Sequence, residues 1–237
     1  IYNVMKRVRL ILITTVLYFF VYSIQLVLIH KFINPIVTPL MVIRLGEGII
    51  KGNKSIAIHK EWKDIDEISP NMILSVMAAE DQNFLTHHGF QWEAIRKAMD
   101  YNSKHKGKRM KGGSTISQQT AKNVFLIPSR TWIRKGFETY FTFLIEMIWS
   151  KERIMEVYLN IIEVGNGYYG VEAASNKYFN TTSKKLTSKQ AASITAILPS
   201  PLKWSPVKPS TYLQKRIGTI QNSMGQVEKP SWLPRLH

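Results

Sequence analysis

From Leu10 to Ile29 the chain carries no charged side chain and is mostly apolar. At 1.5 Å rise per residue, a helix of that length spans roughly the 30 Å hydrocarbon core of a bilayer. The run is therefore expected to be a transmembrane helix. Its length argues against a buried core helix, and no small-residue cleavage site follows it, which argues against a signal peptide. Tyr18, Phe19, Phe20 and Tyr22 lie too centrally for an interfacial belt and are expected to face lipid or pack. Lys6, Arg7 and Arg9 precede the span, so the positive-inside bias places the N-terminus in the cytoplasm and the remainder outside, with His30, Lys31 and Arg44 as a weaker counterweight. Ile1 is not an initiating methionine, so the natural start is expected upstream or removed.

The 237 residues leave room for one substantial domain beyond that anchor. Without cysteine there are no disulfides and no thiolate metal sites. A formal net charge of +16, from 32 Lys and Arg against 16 Asp and Glu, calls for an anionic partner: nucleic acid, acidic lipid headgroups or a diphosphate. The transmembrane span sets nucleic acid aside. Between Ala173 and Val227 there is no acidic side chain but eight Lys or Arg, and a basic face beside a bilayer points to anionic lipid.

Pro35 and Pro39 interrupt any continuation of the anchor. The apolar group Leu40 to Ile43 suits either a juxtamembrane segment against lipid or a strand covering the domain. Weak alternation over Ile49 to Lys63, with Gly52 and Asn53 between, suggests a short hairpin. Helical signals then take over. Ser69-Pro70 offers a cap and a first-turn proline, with Ile73, Leu74, Val76 and Met77 on one apolar face. Gln91 to Asn102 reads as a second helix with Trp92, Ile95 and Met99 in register. Ser103 to Lys111 holds five Lys or Arg in a polar run, equally suited to a solvated loop or an anion site.

Thr115-Ile116-Ser117-Gln118 has capping-box spacing and predicts a helix over Ile116 to Phe125. Its N-terminus, preceded by Gly112 and Gly113, would present free N–H groups to an anion, although most capped helices bind nothing. Thr131 to Trp149 reads as an amphipathic helix whose stripe, Ile133, Phe137, Phe141, Leu144 and Ile148, is expected to face the core. Ser150 caps a helix through Asn160. Gly165, Gly167 and Gly170 lack the spacing and preceding strand of a dinucleotide fingerprint. Further helices are expected near Val171 to Phe179, after the Thr187/Gln190 capping box, and over Thr211 to Met224, with a proline-rich extended stretch between the last two. The domain is thus mainly α.

Four stretches stand out in order. They are Glu80-Asp81-Gln82-Asn83-Phe84-Leu85-Thr86-His87-His88-Gly89; Gly112 to Asn123; Arg134-Lys135-Gly136-Phe137-Glu138; and Glu156-Val157-Tyr158-Leu159-Asn160. Together, over about Pro70 to Pro206, they resemble the peptidoglycan glycosyltransferases, in particular the monofunctional, membrane-anchored biosynthetic transglycosylases. Gln190, where an acidic residue is usual, and Met155, where a branched aliphatic is usual, are mild departures.

The resemblance implies a lysozyme-like helical glycosyltransferase domain over 69–225, after an anchor at 1–31 and a juxtamembrane segment at 32–68, with a tail at 226–237. It implies polymerisation of lipid II into β-1,4-linked glycan with inversion and release of undecaprenyl diphosphate. Glu80 would be the general base and Glu138 the second essential carboxylate. Lys122, Arg134 and Lys135 would hold the donor diphosphate. Asp81, Phe84, His87, Ser114, Thr115, Gln119 and Asn123 would complete the substrate site, while Glu156, Tyr158 and Asn160 support it from behind. The implied partners are lipid II, the lipid-linked glycan chain, the bacterial cytoplasmic membrane and other cell-wall synthesis proteins, with no nucleic acid. No cofactor is required by the sequence, which leaves room for a divalent cation, Mg or Mn.

The chemistry agrees with those residue types. An acceptor hydroxyl attacking an anomeric carbon must lose a proton to a carboxylate, and a departing diphosphate must be met by fixed cations and N–H donors. Cations converging near Glu80 would favour its ionised form, which suits a base. Arg134 and Glu138, four apart on a helix, would otherwise be an ordinary surface pair. His87 and His88 have no third ligand at useful spacing. No Gly-x-Ser-x-Gly elbow occurs, and Ser103 to Lys106 has no Lys-Thr-Gly partner, so a transpeptidase domain is absent. The competing expectations are a lysozyme-like or lytic enzyme, needing a protonated carboxyl and no diphosphate site, and a non-catalytic membrane scaffold.

Overall fold

A computed structural model describes residues 2–52, 57–104, 113–129 and 131–235. The chain divides into two units, Ile1–Asn34 and Pro35–His237. The first is a single helix, α1 (Tyr2–Phe32), which contains the whole uncharged run. Its apolar side chains, such as Leu10, Leu17 and Phe20, are exposed. Thr15 donates to the Ile11 carbonyl at 2.9 Å and Ser23 to that of Phe20 at 3.0 Å. These two hydroxyls inside the span are thereby satisfied by the helix itself, as a hydrocarbon surrounding demands. Among the described residues, α1 alone is long and apolar enough to cross a membrane.

The second unit opens with α2 (Pro39–Ile50), capped by Thr38, whose hydroxyl accepts from Met41 N–H. Of the two expectations for Leu40 to Ile43 the strand is excluded. The segment is a helix that buries Met41 and Gly48 while leaving Val42, Ile49 and Ile50 exposed. The expected hairpin over 49–63 is not present among the described residues. Instead β1 (His59–Lys60) pairs in parallel with a distant strand, β3 (Tyr168–Tyr169), which also pairs antiparallel with β2 (Glu163–Gly165) in the order β1-β3-β2. The glycines rejected as a nucleotide fingerprint serve this turn. Gly170 has φ +80°, and a Cβ there would lie 2.7 Å from the Asn160 carbonyl oxygen.

Around α3 (Pro70–Glu80) the unit packs its core. The expectation of one apolar face understates the burial: Met72 to Ala78 are all buried, because α9 (Ser188–Ile197) and α10 (Thr211–Met224) both pack on α3 and on each other. Each buried Ile, Leu or Met contributes about 1.5–3 kcal/mol. The buried hydroxyls here are paired, as burial requires. Ser75 and Thr195 share a 2.7 Å hydrogen bond between α3 and α9.

A second cluster joins α5 (Ile116–Phe125), α6 (Trp132–Ile148) and α7 (Lys151–Ile161), with Phe125 stacked on Phe141 at 4.7 Å. α4 (Trp92–Lys104) and α8 (Val171–Phe179) complete the helices. The capping boxes at Thr115/Gln118 and Thr187/Gln190 form as the spacing predicts. The α6 stripe does not hold throughout: Phe141 and Leu144 are buried, but Ile133 is 76% and Phe137 40% exposed, and neighbouring Trp132 is 91% exposed. The proline-rich stretch expected to be extended forms turns over 198–203.

Candidate active site

Glu80 is the last residue of α3, where the helix hands the chain to a turn. Its Oε2 accepts from Gln119 Nε2 of α5 at 2.9 Å, and its Oε1 lies 3.7 Å from Arg216 Nη2 of α10. The Gln119 carbonyl in turn accepts from Tyr158 OH at 3.4 Å. Burial, then the charges of Glu80 and Asp81, hold the Tyr158 phenol well above its usual range, so it stays a neutral donor. Glu80, Gln119 and Tyr158 thus form a chain whose end is anchored in the core.

Asp81 does a different job from its neighbour. Its buried carboxylate receives His87 Nε2 at 2.9 Å, the Gln91 amide, and the backbone N–H of Ile116 at 3.0 Å. Gly89 N–H donates to His87 Nδ1 at 3.0 Å, which fixes the tautomer with the proton on Nε2, toward Asp81. The first N–H of α5 is therefore already capped by Asp81. Gln118 N–H goes to the Thr115 hydroxyl, which itself donates to Gly89 O at 2.7 Å. Of the two readings of the α5 N-terminus this favours the ordinary capped helix over an anion site: its first and third N–H groups bond inside the protein.

Phe84 is fully buried, with the Lys151 ammonium 4.7 Å from its ring centre. Lys151 also donates to His87 O and to Glu146 Oε1, each at 2.7 Å, and Ser117 donates to the same Glu146 oxygen. Gly89, at φ +86°, fits because a Cβ would meet Thr142 Cγ2 at 2.8 Å. Of the residues expected to touch substrate, then, Asp81, Phe84, His87 and Thr115 form the frame behind Glu80. Their polar atoms are engaged and their side chains are buried or nearly so. Ser114 stands exposed just before the cap.

The cations do assemble. Arg134 and Lys135 both donate to the buried carboxylate of Glu138, one to each oxygen. The competing reading of Arg134 and Glu138 as an ordinary surface pair gives way to a partly buried three-membered cluster on α6. Lys122, from α5, lies within electrostatic reach of Glu138, Arg134, Lys135 and Glu80. Its ammonium makes no hydrogen bond among the described residues. Burial chiefly depresses its pKa, with Arg134 and Lys135 pushing the same way and Glu138 and Glu80 opposing. Lys122 is therefore the point at which the first and third motifs meet.

Lys122, Asn123 and Arg134 line an open cleft of about 480 Å³ together with Leu40 and Arg44 of α2, Leu126, Pro128, Ser129 and Glu163. Arg134 Nε is buried there without a partner among the described residues. Glu80 does not line this cleft; it adjoins it through Lys122. Such a cleft offers charge-assisted donors to a polyanion. It does not fit a metal: no group of three or more His, Cys, Asp or Glu able to hold an ion occurs among the described residues, and both oxygens of Glu138 are taken by cations.

Two participants were not foreseen. Arg216 lies in the acid-free, basic stretch where no motif distinguishes it from its neighbours, and Arg44 was weighed only as a topogenic charge. Only the packing of α10 on α3 and of α2 on α5 brings them in. Gly112 and most of the basic run, residues 105–112, lie outside the described residues. Glu156 and Asn160, expected to support the site from behind, bond to the segment after β1: Glu156 accepts from Ile65 N–H at 3.3 Å, and Asn160, fully buried, receives Lys63 N–H and donates to Lys63 O, each at 2.8 Å.

The family model described as Transglycosylase matches residues 50–225. A biosynthetic peptidoglycan transglycosylase of Bdellovibrio bacteriovorus is 51% identical over 92% of this chain and 86% of its own length. Similar proteins of that description from Bacteroides thetaiotaomicron and Caulobacter vibrioides are 52% and 50% identical, over 90% and 86% of this chain and 85% of each relative. With the ordered motifs, the helical domain and the apolar N-terminal helix, these matches show that the chain belongs to the family of biosynthetic peptidoglycan transglycosylases.

Proposed function

We propose that this chain polymerises lipid II into β-1,4-linked glycan strands, with Glu80 as general base. As the acceptor 4-hydroxyl oxygen bonds to C1 of the lipid-linked glycan, its proton passes to Glu80. The bond from C1 to the diphosphate oxygen breaks, and undecaprenyl diphosphate leaves with the electron pair. Attack opposite the leaving group inverts C1. Both Glu80 oxygens face N–H donors, Gln119 and Arg216, the arrangement of a group that accepts a proton rather than gives one.

The observation that carries this reading is Lys122: a half-buried ammonium with no hydrogen bond among the described residues, between the Glu80 charge and the Glu138 cluster. Lys122, Arg134 and Lys135 meet the diphosphate, and Glu138 holds the last two in place. A divalent cation taking part would be carried by the diphosphate oxygens, since the chain's own carboxylates are engaged. The apolar α1 anchors the enzyme in the cytoplasmic membrane with its N-terminus inside, confining enzyme and lipid-tailed substrates to one surface. Exposed Trp132, Ile133 and Phe137 suit contact with that surface.

The test is to supply the purified chain, in lipid vesicles, with lipid II. Wild type is expected to give polymer, and Glu80→Gln to slow it by about 10²–10⁴-fold, the usual contribution of a general base. Undiminished polymer from Glu80→Gln would remove the proposed base. Soluble sugar released from finished wall, with no polymer, would favour the lytic alternative.

A further inference from the structure

Leu40 and Arg44, four apart and so on one side of α2, both line the cleft that holds Lys122 and Arg134. Met41, buried on the same helix, and the packing of α2 on α5 fix them there. The Arg44 guanidinium spends only part of its donor capacity. Nε donates to Glu163 Oε1 and Nη1 to Glu47 Oε2, both at 3.0 Å. A guanidinium has five N–H groups, so the two on Nη2 remain without a partner among the described residues.

The acids beside it need explaining. Glu163, with its side chain 11% exposed, places a carboxylate in a cleft otherwise suited to anions. Beside it the Tyr169 hydroxyl is buried without a partner among the described residues. Its pKa is pushed up to about 12, by burial first and then by the Glu163 charge. A negative group in that position would repel a diphosphate unless its charge were already matched. Arg44 matches it, and its fork can turn from carboxylate to phosphate oxygens because both present the same bidentate geometry.

We propose that α2 forms one wall of the diphosphate cleft and that Arg44 is a further ligand of the leaving group, exchanging Glu163 for phosphate oxygens as diphosphate enters and returning as it departs. Glu163 is then the competitor that keeps the product from binding too tightly. This inference rests on the reading of the cleft as a diphosphate site.

Farnesyl diphosphate, a short-tailed probe, tests it by calorimetric titration into the full chain in detergent. Arg44→Ala is expected to weaken binding about tenfold, as for one charge-assisted contact, and Arg44→Lys by less. Farnesyl monophosphate should lose much less. Glu163→Gln should tighten diphosphate binding several-fold in the wild-type background, and that gain should shrink to the part owed to charge repulsion alone when Arg44→Ala is also present. Lys122→Ala serves as the reference for the cleft itself. If Lys122→Ala weakens binding and Arg44→Ala does not, the role of Arg44 is overturned and the cleft stands. If neither matters, the diphosphate reading of the cleft falls too. Should Arg44→Ala fail to fold, Glu163→Gln decides: unchanged or weaker binding overturns the exchange.

Discussion

Two side chains one residue apart, Glu80 and Asp81, show how little a motif says about the work of its members. Asp81 ties three segments together, whereas Glu80 faces Gln119 and Arg216. Tyr158, expected as support, reaches the site through Gln119, and removing its hydroxyl leaves the Gln119 carbonyl short of a donor. Tyr158→Phe is expected to cost about 1 kcal/mol of stability and to lower kcat several-fold with KM little changed, read by lipid II polymerisation. Lys122 gives a pH dependence. Its depressed pKa means that the ammonium is lost, as pH rises, sooner than for an ordinary lysine. Diphosphate binding should therefore weaken as pH rises, sooner than an ordinary lysine would lose it, and return on acidification, whereas Lys122→Arg should keep its binding over the same rise, because guanidinium keeps its proton. Titrations at several pH values check both.

At the scale of elements, helices announced by caps were legible. Thr115 with Gln118, Thr187 with Gln190, and Ser150 each mark a start that the structure keeps, because capping is settled within one turn. The sheet was not legible. His59 and Lys60 owe their strand to Tyr168 and Tyr169, and a two-residue strand paired so far along the chain leaves no local periodicity to find. The α6 stripe misled for the opposite reason. Its periodicity is genuine, but neighbours cover only its C-terminal half, and spacing cannot say how far a partner extends. Asn160 fastens α7 to the segment just after β1 by both hydrogen bonds to Lys63. Asn160→Ala, leaving these backbone groups unpaired, is expected to cost about 3 kcal/mol, or roughly 6–12 °C in Tm for a domain of this size. Thermal unfolding followed by circular dichroism measures it.

For the whole molecule, charge outlines function more faithfully than it locates it. The +16 balance predicted an anionic partner, yet the cations that line the cleft are few and come from α2, α5 and α6, which meet there only after folding. The convergence of Lys122 with Glu80 and Glu138 could be inferred beforehand only through a family resemblance, since the three lie on separate helices. Half-exposed cations such as Lys135 are open to screening. Raising salt from about 50 to 500 mM should therefore raise KM for lipid II several-fold while changing kcat less, because screening weakens attraction at the cleft mouth more than contacts already desolvated. Initial rates in neutral detergent test this without a lipid surface charge.

The position of Glu80 at the closing turn of α3 carries one more consequence. Backbone carbonyls converge at that end of a helix, and their partial negative charge is poor company for an acid. An acid at that helix end is thus held against the local backbone field, with Gln119 and Arg216 offsetting part of it. Neutralising it with Glu80→Gln should leave the melting temperature unchanged or slightly higher even as polymer formation collapses, an opposition between durability and turnover.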